Sequence, residues 1–140
     1  MQRATSRTAM FPSRAEAWRA VCGFVEAFCG EAGVARETCL RANLVIEELF
    51  VNTVKHGHRG GSGAPVWITL ALRDDRVAVQ YEDRAPPFNP FGRAPDELRV
   101  ARPHGHVAGG LGVILANALA ASADYAYLFG RNRIRFEIPR

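Results

Sequence analysis

Residues 44–57, Leu-Val-Ile-Glu-Glu-Leu-Phe-Val-Asn-Thr-Val-Lys-His-Gly, constrain the fold more than any other stretch of this chain. At about 100° per residue they form a helix that is apolar around most of its circumference. Leu44, Ile46, Leu49, Phe50, Val51 and Val54, with Leu40 one turn earlier, supply that surface. Such a helix belongs inside a protein. Glu48, Asn52, Lys55 and His56 follow one another at four, three and one positions and share one narrow polar side. Lys55 is the only lysine, and every other basic residue apart from histidine is arginine. The stripe is either a solvated face or the wall of a site for a small charged ligand.

The second reading has a chemical rationale. A carboxylate followed one turn later by a carboxamide suits a general base beside a hydrated Mg²⁺. That ion takes oxygen ligands and keeps waters and phosphates as its other partners. A base must lie within hydrogen-bond reach of the hydroxyl it deprotonates. Glu48 shares the stripe with Asn52, whereas Glu47 lies off it toward Leu40 and Val51.

The chain of 140 residues suits one domain, 1–140, with a sizeable core. No apolar run approaches the roughly 18 residues of a membrane span. Residues 1–10 carry two arginines and no apolar region, so they do not read as a secretory signal. The expected compartment is the cytoplasm, without membrane association. Cys22, Cys29 and Cys39 have no CxxC spacing and read as reduced, buried thiols. The formal charge is +4, but the arginines are scattered and form no basic run with interleaved aromatics. Direct nucleic-acid binding is therefore not expected.

Residues 4–10 read as an edge strand. Ser13 and Glu16 match a capping box, with a helix to about Cys29 stopped by Gly30. A second helix spans residues 35–56, and residues 58–65 form a glycine-rich loop. Strands over 66–73 and 76–81 flank a turn at Asp74-Asp75. Residues 84–108 are rich in Pro, Gly, Arg and His without periodicity. A third helix opens at Gly109-Gly110-Leu111-Gly112, and strands over 124–129 and 133–138 flank a turn at Gly130-Arg131-Asn132. The order predicts an α+β, two-layer α/β sandwich: a mixed, mostly antiparallel sheet covered on one face by three helices.

Two further constellations carry chemistry. In Tyr81-Glu82-Asp83-Arg84-Ala85-Pro86-Pro87-Phe88-Asn89-Pro90 a strand ends in an acid and the chain then turns. Such an acid can accept a hydrogen bond from an exocyclic amine such as that of adenine, although Asp is also common in ordinary turns. Gly109, Gly110 and Gly112 let the backbone approach a phosphate at a helix N-terminus. No Gly-Lys-Ser/Thr follows, and no strand directly precedes, so the segment is neither a Walker loop nor a good Rossmann fingerprint.

Taken together and in this order, the three motifs resemble the N, G1 and G2 boxes of the GHKL (Bergerat-fold) ATPase superfamily. Its anti-sigma-factor serine/threonine kinase branch is the most similar. Glu48 to Gly57 resembles the N box, Asp83 to Pro90 the G1 box and Gly109 to Leu115 the G2 box, while the closing Gly130-Arg131-Asn132-Arg133-Ile134 is also similar. The resemblance covers nearly the whole chain. It implies ATP and Mg²⁺ as cofactors, with Glu48 as general base and Asn52 as the Mg²⁺ ligand. It further implies Asp83 as the adenine-recognising acid and Gly109, Gly110 and Gly112 along the phosphates. Residues 92–108 would be a short ATP lid whose Arg102, His104 and His106 are candidate phosphate contacts. Lys55 would be a secondary contact, and Ala85 and Asn132 would lie near the nucleotide. The family usually has glycine where Ala85 stands, and often where Pro87 stands. Glycine permits torsions that alanine resists, so this departure bears on nucleotide affinity.

The implied function is an ATP-dependent serine/threonine kinase that phosphorylates an anti-sigma-factor antagonist and sequesters a sigma factor or similar partner, as a homodimer. The rival is a non-catalytic binding module with a structural or degenerate nucleotide site. A detached histidine-kinase catalytic domain is a third reading; against it stands the expectation that no helix with a phospho-accepting His precedes the domain.

Overall fold

Along residues 65–73 every second side chain is buried: Val66, Ile68 and Leu70 point one way, Trp67, Thr69 and Ala71 the other. The same two-residue period recurs in residues 76–83, with Val77, Val79 and Tyr81 inward, and in 131–139, with Ile134, Phe136 and Ile138 inward. A period of two with one apolar face is the pattern of a half-buried sheet. A computed structural model describes residues 6–57, 63–87, 89 and 122–139. In it these segments are strands β2 (Pro65–Arg73), β3 (Arg76–Asp83) and β5 (Arg131–Pro139), joined by β1 (Ser6–Pro12) and β4 (Ser122–Leu128). The order across the sheet is β1-β2-β3-β5-β4, and every described pairing is antiparallel.

Two helices form the second layer, which makes the molecule an α+β sandwich. Helix α1 (Trp18–Ala32) lies over β1 and β2, and α2 (Arg36–Asn52) over β3 and β5. The core fills with Val21, Val25 and Phe28 from α1 and Ala42, Val45, Ile46, Leu49 and Phe50 from α2. Each of the larger of these side chains, Ala42 excepted, contributes about 1.5–3 kcal/mol by leaving water. Trp18 packs on Phe50 with ring centroids 5.9 Å apart, which joins the helices above the sheet. The opposite face of the sheet is polar, and there the Arg131 guanidinium lies 3.6 Å from the centroid of the Trp67 ring. No described helix is long and apolar enough to cross a membrane. The predicted third helix, at residues 109–121, lies outside the described residues.

Four local expectations are corrected. Helix α1 runs through Gly30 and ends at Gly33, whose φ of 71° supplies the left-handed cap. The N–H groups of Gly33 and Val34 both reach the Cys29 carbonyl, a closure that needs that torsion. The capping box does not form. Arg14 is the N-cap of a 3-10 turn at Ala15–Ala17 that leads into α1, and no side chain caps it. Ser13 is instead buried, its N–H donating to the Ala64 carbonyl, and among the described residues its hydroxyl has no partner. Leu40 and Leu44 are not core residues; they are 55% and 42% exposed on the outer side of α2. A helix in a two-layer sandwich has only one covered side, so apolarity all round overstated its burial. Finally, the last turn is Phe129-Gly130, because Leu128 pairs with Arg131. Both turn residues have positive φ, 52° and 77°, as a type I′ hairpin turn requires. Phenylalanine rarely takes that conformation, so residue type alone does not mark Phe129 as a turn residue. The shift moves Asn132 out of the turn and into β5.

The cysteines are free, with Cys29 and Cys39 buried between the helices and Cys22 half-buried. Burial, and after it the neighbouring Cys39, pushes the Cys29 thiol up to about 12.

The Ser13 hydroxyl supplies a direct test. Replacing it with Ala removes a buried polar atom that has no described partner, so Ser13→Ala should leave the unfolding free energy unchanged or raise it by up to about 1 kcal/mol. Urea denaturation measures this. A loss of about 1 kcal/mol, the usual cost of removing a helix cap, would restore the capping-box reading.

Candidate functional site

Asp83 occupies the inward phase of β3, next in the series Val77, Val79, Tyr81, and Asn132 occupies the inward phase of β5, before Ile134, Phe136 and Ile138. The register pairs the two directly. Two rows of apolar side chains thus end in a facing polar pair, both buried, at one end of the core. A carboxylate taken from water there must be met by donors. Three are present. Asn132 Nδ2 donates to Oδ1 at 2.8 Å, the Ala85 N–H donates to Oδ1 at 3.2 Å, and the Thr53 hydroxyl donates to Oδ2 at 2.8 Å. A carboxylate has about four acceptor positions. Counting the described residues, Asp83 keeps roughly one acceptor position beyond these donors.

Thr53 comes from the end of α2. It lies seven residues beyond Ile46, which puts it on the core face of the helix. From Thr53 to Gly57 the helix widens into a π turn, a feature that often marks functional sites. The Tyr81 hydroxyl lies 2.6 Å from Thr53 Oγ1, and the Leu49 carbonyl is 3.0 Å from Thr53 Oγ1 and 3.2 Å from the Tyr81 hydroxyl. Each hydroxyl has one proton. The assignment that satisfies the charge runs Tyr81 O–H to Thr53, then Thr53 O–H to Asp83, because a bond to an ionised acceptor is the stronger one. The Leu49 carbonyl already accepts the Thr53 backbone N–H. Burial holds the Tyr81 phenol well above its ordinary range; the Thr53 hydrogen bond opposes this and the Asp83 charge adds to it. Tyr81 therefore remains a neutral donor at physiological pH.

The turn after Asp83 is built from the same atoms. The Ala85 N–H bonded to Asp83 Oδ1 closes an Asx turn. Asn132 Nδ2 also reaches the Ala85 carbonyl at 3.0 Å and the Pro86 carbonyl at 3.1 Å. Among the described residues, positive φ outside glycine occurs only at Asp74 and Phe129, so Ala85 sits in a conformation that alanine adopts without strain.

The sequence-nominated residues divide accordingly. Asp83, Ala85 and Asn132 are brought into one hydrogen-bonded group. Glu48 and Asn52 are half-buried on α2, and Lys55 is exposed in the π turn. Their side of the helix can be placed from its neighbours. Asn43 contacts Cys22 of α1, whereas Arg41, seven residues before Glu48, donates to the Pro139 carbonyl of β5 at 2.8 Å. Glu48 and Asn52 therefore lie on the flank toward β5, away from α1. Glu47 is exposed. Gly109, Gly110, Gly112 and the lid with Arg102, His104 and His106 lie outside the described residues. Among the described residues no group of three or more His, Cys, Asp and Glu converges as a metal cage. A Mg²⁺ ion carried mainly by phosphates and waters, with one amide oxygen such as that of Asn52, needs none.

Thr53, which donates to Asp83, and Tyr81, which bonds to Thr53, were missed in the sequence. A signal existed for both: each falls in the apolar phase of its element, and a hydroxyl in that phase needs a partner.

Comparison with known proteins agrees with this architecture. The family profile described as "Histidine kinase-like ATPase domain" matches residues 11–138. No curated protein matches the chain in sequence. Among solved structures, the RsbU and RsbW domains of Rv1364c from Mycobacterium tuberculosis superpose with a TM-score of 0.67 at 18% identity, over 96% of this chain and 32% of that one. The histidine kinase domain of a blue-light-activated histidine kinase from Erythrobacter litoralis superposes with a TM-score of 0.53 at 13% identity, over 91% of this chain and 61% of that one. The chain thus spans about a third of the length of the first of these structures.

Thr53→Val keeps the shape of the side chain but removes the donor to Asp83 and the acceptor for Tyr81. The unfolding free energy should fall by about 1–3 kcal/mol in urea denaturation. A change below about 0.5 kcal/mol would show that the relay does not hold the carboxylate.

Proposed function

The chain belongs to the histidine kinase-like ATPase domain family, and from that premise we propose that it is an ATP-dependent serine/threonine protein kinase that regulates a protein partner. The observation that carries the reading is the buried Asp83 carboxylate. It is held by three donors, keeps acceptor capacity, and is bonded to Thr53, the residue next to Asn52. The base amine of ATP would donate to Asp83, and the phosphates would extend along α2 toward Glu48 and Asn52, with Gly109, Gly110 and Gly112 as the phosphate-facing segment. Lys55 would be a peripheral contact.

In this reading the side-chain oxygen of Asn52 would hold Mg²⁺, which would neutralise charge on the phosphates. Glu48 accepts the proton of a partner serine or threonine hydroxyl. That oxygen bonds to the γ-phosphorus, the bond to the β–γ bridging oxygen breaks, and ADP leaves. Positioning and charge neutralisation supply most of the rate enhancement, as is usual for phosphoryl transfer. The half-burial of Glu48 suits a base better than the exposed Glu47. The preferred partner is an anti-sigma-factor antagonist, with a sigma factor or similar protein held in a complex, by a homodimer in the cytoplasm without nucleic acid or membrane. The motif resemblance supports this choice, and one solved structure of like fold contains a domain called RsbW.

The non-catalytic alternative drew its support from alanine and proline at positions where the family has glycine. Unstrained Ala85 backbone removes part of that support.

Incubation with labelled Mg-ATP and an antagonist protein tests the reading. The wild type should place phosphate on a serine or threonine. Glu48→Ala should bind Mg-ATP yet transfer at least about 100-fold more slowly, and Asn52→Ala should lose the Mg²⁺-dependent part of binding. Normal transfer by Glu48→Ala would remove the base assignment. Phosphate-free antagonist at every enzyme concentration would favour the binding module.

A further inference from the structure

Asn132 can hold Asp83 only in one of its two amide orientations. Its Nδ2 faces three acceptors: Asp83 Oδ1, the Ala85 carbonyl and the Pro86 carbonyl, at 2.8, 3.0 and 3.1 Å. Rotating the amide by half a turn would set its oxygen against all three, acceptor facing acceptor. The orientation is fixed from the other side, because the Tyr125 hydroxyl donates to Asn132 Oδ1. Tyr125 is on β4, opposite Ile134 of β5, and so is the diagonal neighbour of Asn132 within the pair of strands. An aromatic side chain spans that diagonal.

We propose that Tyr125 is a positioning residue for the nucleotide site: by donating to Asn132 Oδ1 it locks the amide that holds the Asp83 carboxylate and the Ala85–Pro86 turn in place. The inference rests on the reading that Asp83 receives the base amine of ATP. It goes beyond that reading in assigning β4 a part in the site, and in giving Asn132 an indirect role. The Asn132 amide protons are occupied by Asp83 and the two carbonyls, so Asn132 shapes the base site through them. The arrangement also accounts for a turn with Ala85 and Pro87 where glycines are usual. Side-chain hydrogen bonds from β5 hold this turn closed, and Tyr125 keeps the donor aimed.

Tyr125→Phe tests this, since it deletes one oxygen and keeps the ring. Binding of Mg-ATP and of Mg-purine riboside triphosphate, which lacks the exocyclic amine, is measured by calorimetry for wild type and variant. The Asn132 side-chain NH₂ is followed by ¹H–¹⁵N NMR, assigned with Asn132→Asp. The variant should remain folded, shift the Asn132 NH₂ signals, and bind Mg-ATP about three- to tenfold more weakly, the range of one hydrogen bond. Its affinity for the amine-free analogue should change less than about twofold, because the lost precision concerns the amine contact. Equal weakening toward both nucleotides would mean a general structural role and overturn the proposal. So would wild-type affinity for Mg-ATP in the variant, or unmoved NH₂ signals. If the wild type itself binds no Mg-ATP, the ATP reading fails and the positioning role with it. Binding by the wild type with an unaffected variant removes the positioning role alone.

Discussion

One buried carboxylate organises this structure. Asp83 ends the inward row of β3, where water is largely excluded, and an unmet charge there would cost several kcal/mol. Its three donors among the described residues come from three different places: the end of α2, the turn that follows β3, and β5. Satisfying the carboxylate therefore fixes where those elements meet. The hydrophobic layers bring the helices onto the sheet, but apolar contacts alone are tolerant of small sliding. The Asp83 group removes that freedom at the end of the molecule where the candidate site lies.

For the proposed function, the consequence runs through α2. Thr53 follows Asn52 directly, and Glu48 lies one turn before it. A helix tethered at Thr53 carries both residues in a set relation to Asp83. A base docked on Asp83 and a phosphate chain near Asn52 would then be spaced by the protein before any ligand arrives. Preorganisation of that kind is what phosphoryl transfer asks of an enzyme, because so little of the catalysis is covalent. The sheet's outer face reinforces the same end. Arg131 stacks on Trp67 and lies 3.7 Å from Glu82, and Arg84 lies 5.5 Å from the Trp67 ring centroid. These contacts hold the strand ends that flank Asp83 and Asn132.

Much of this was legible in the sequence where a residue's environment is set by a short period. The strands β2 and β3, the hairpin at Asp74-Asp75, and the Asp83 turn could be read from alternation and turn chemistry. Errors arose where tertiary contacts outweighed local preference. Gly30 is tolerated inside α1 because Gly33, three residues on, provides the left-handed cap. Ser13 forgoes its helix-capping role because its backbone is tied to Ala64 beside β2. Phe129 accepts a left-handed torsion because the β4–β5 register demands a two-residue turn there. In the candidate site, Glu48, Asn52 and Asp83 were nominated because their chemistry sits in a motif. Thr53, Tyr81 and Tyr125 were not, since a hydroxyl in an apolar phase reveals its partner only when two elements are brought together. Asn132 was nominated from a motif, but its actual partners depended on moving the turn by one residue.

The claim that a single carboxylate joins α2 to β5 is tested most directly by a double-mutant cycle between Thr53→Val and Asn132→Ala, read as unfolding free energy. The two residues are 79 positions apart in sequence (132 − 53) and share Asp83 as acceptor. Losing either donor should open the carboxylate to water and make the other matter less. The account predicts that the double variant is more stable than the sum of the single losses by about 1 kcal/mol or more. Additivity to within about 0.3 kcal/mol would mean that the two donors act independently, and would contradict it.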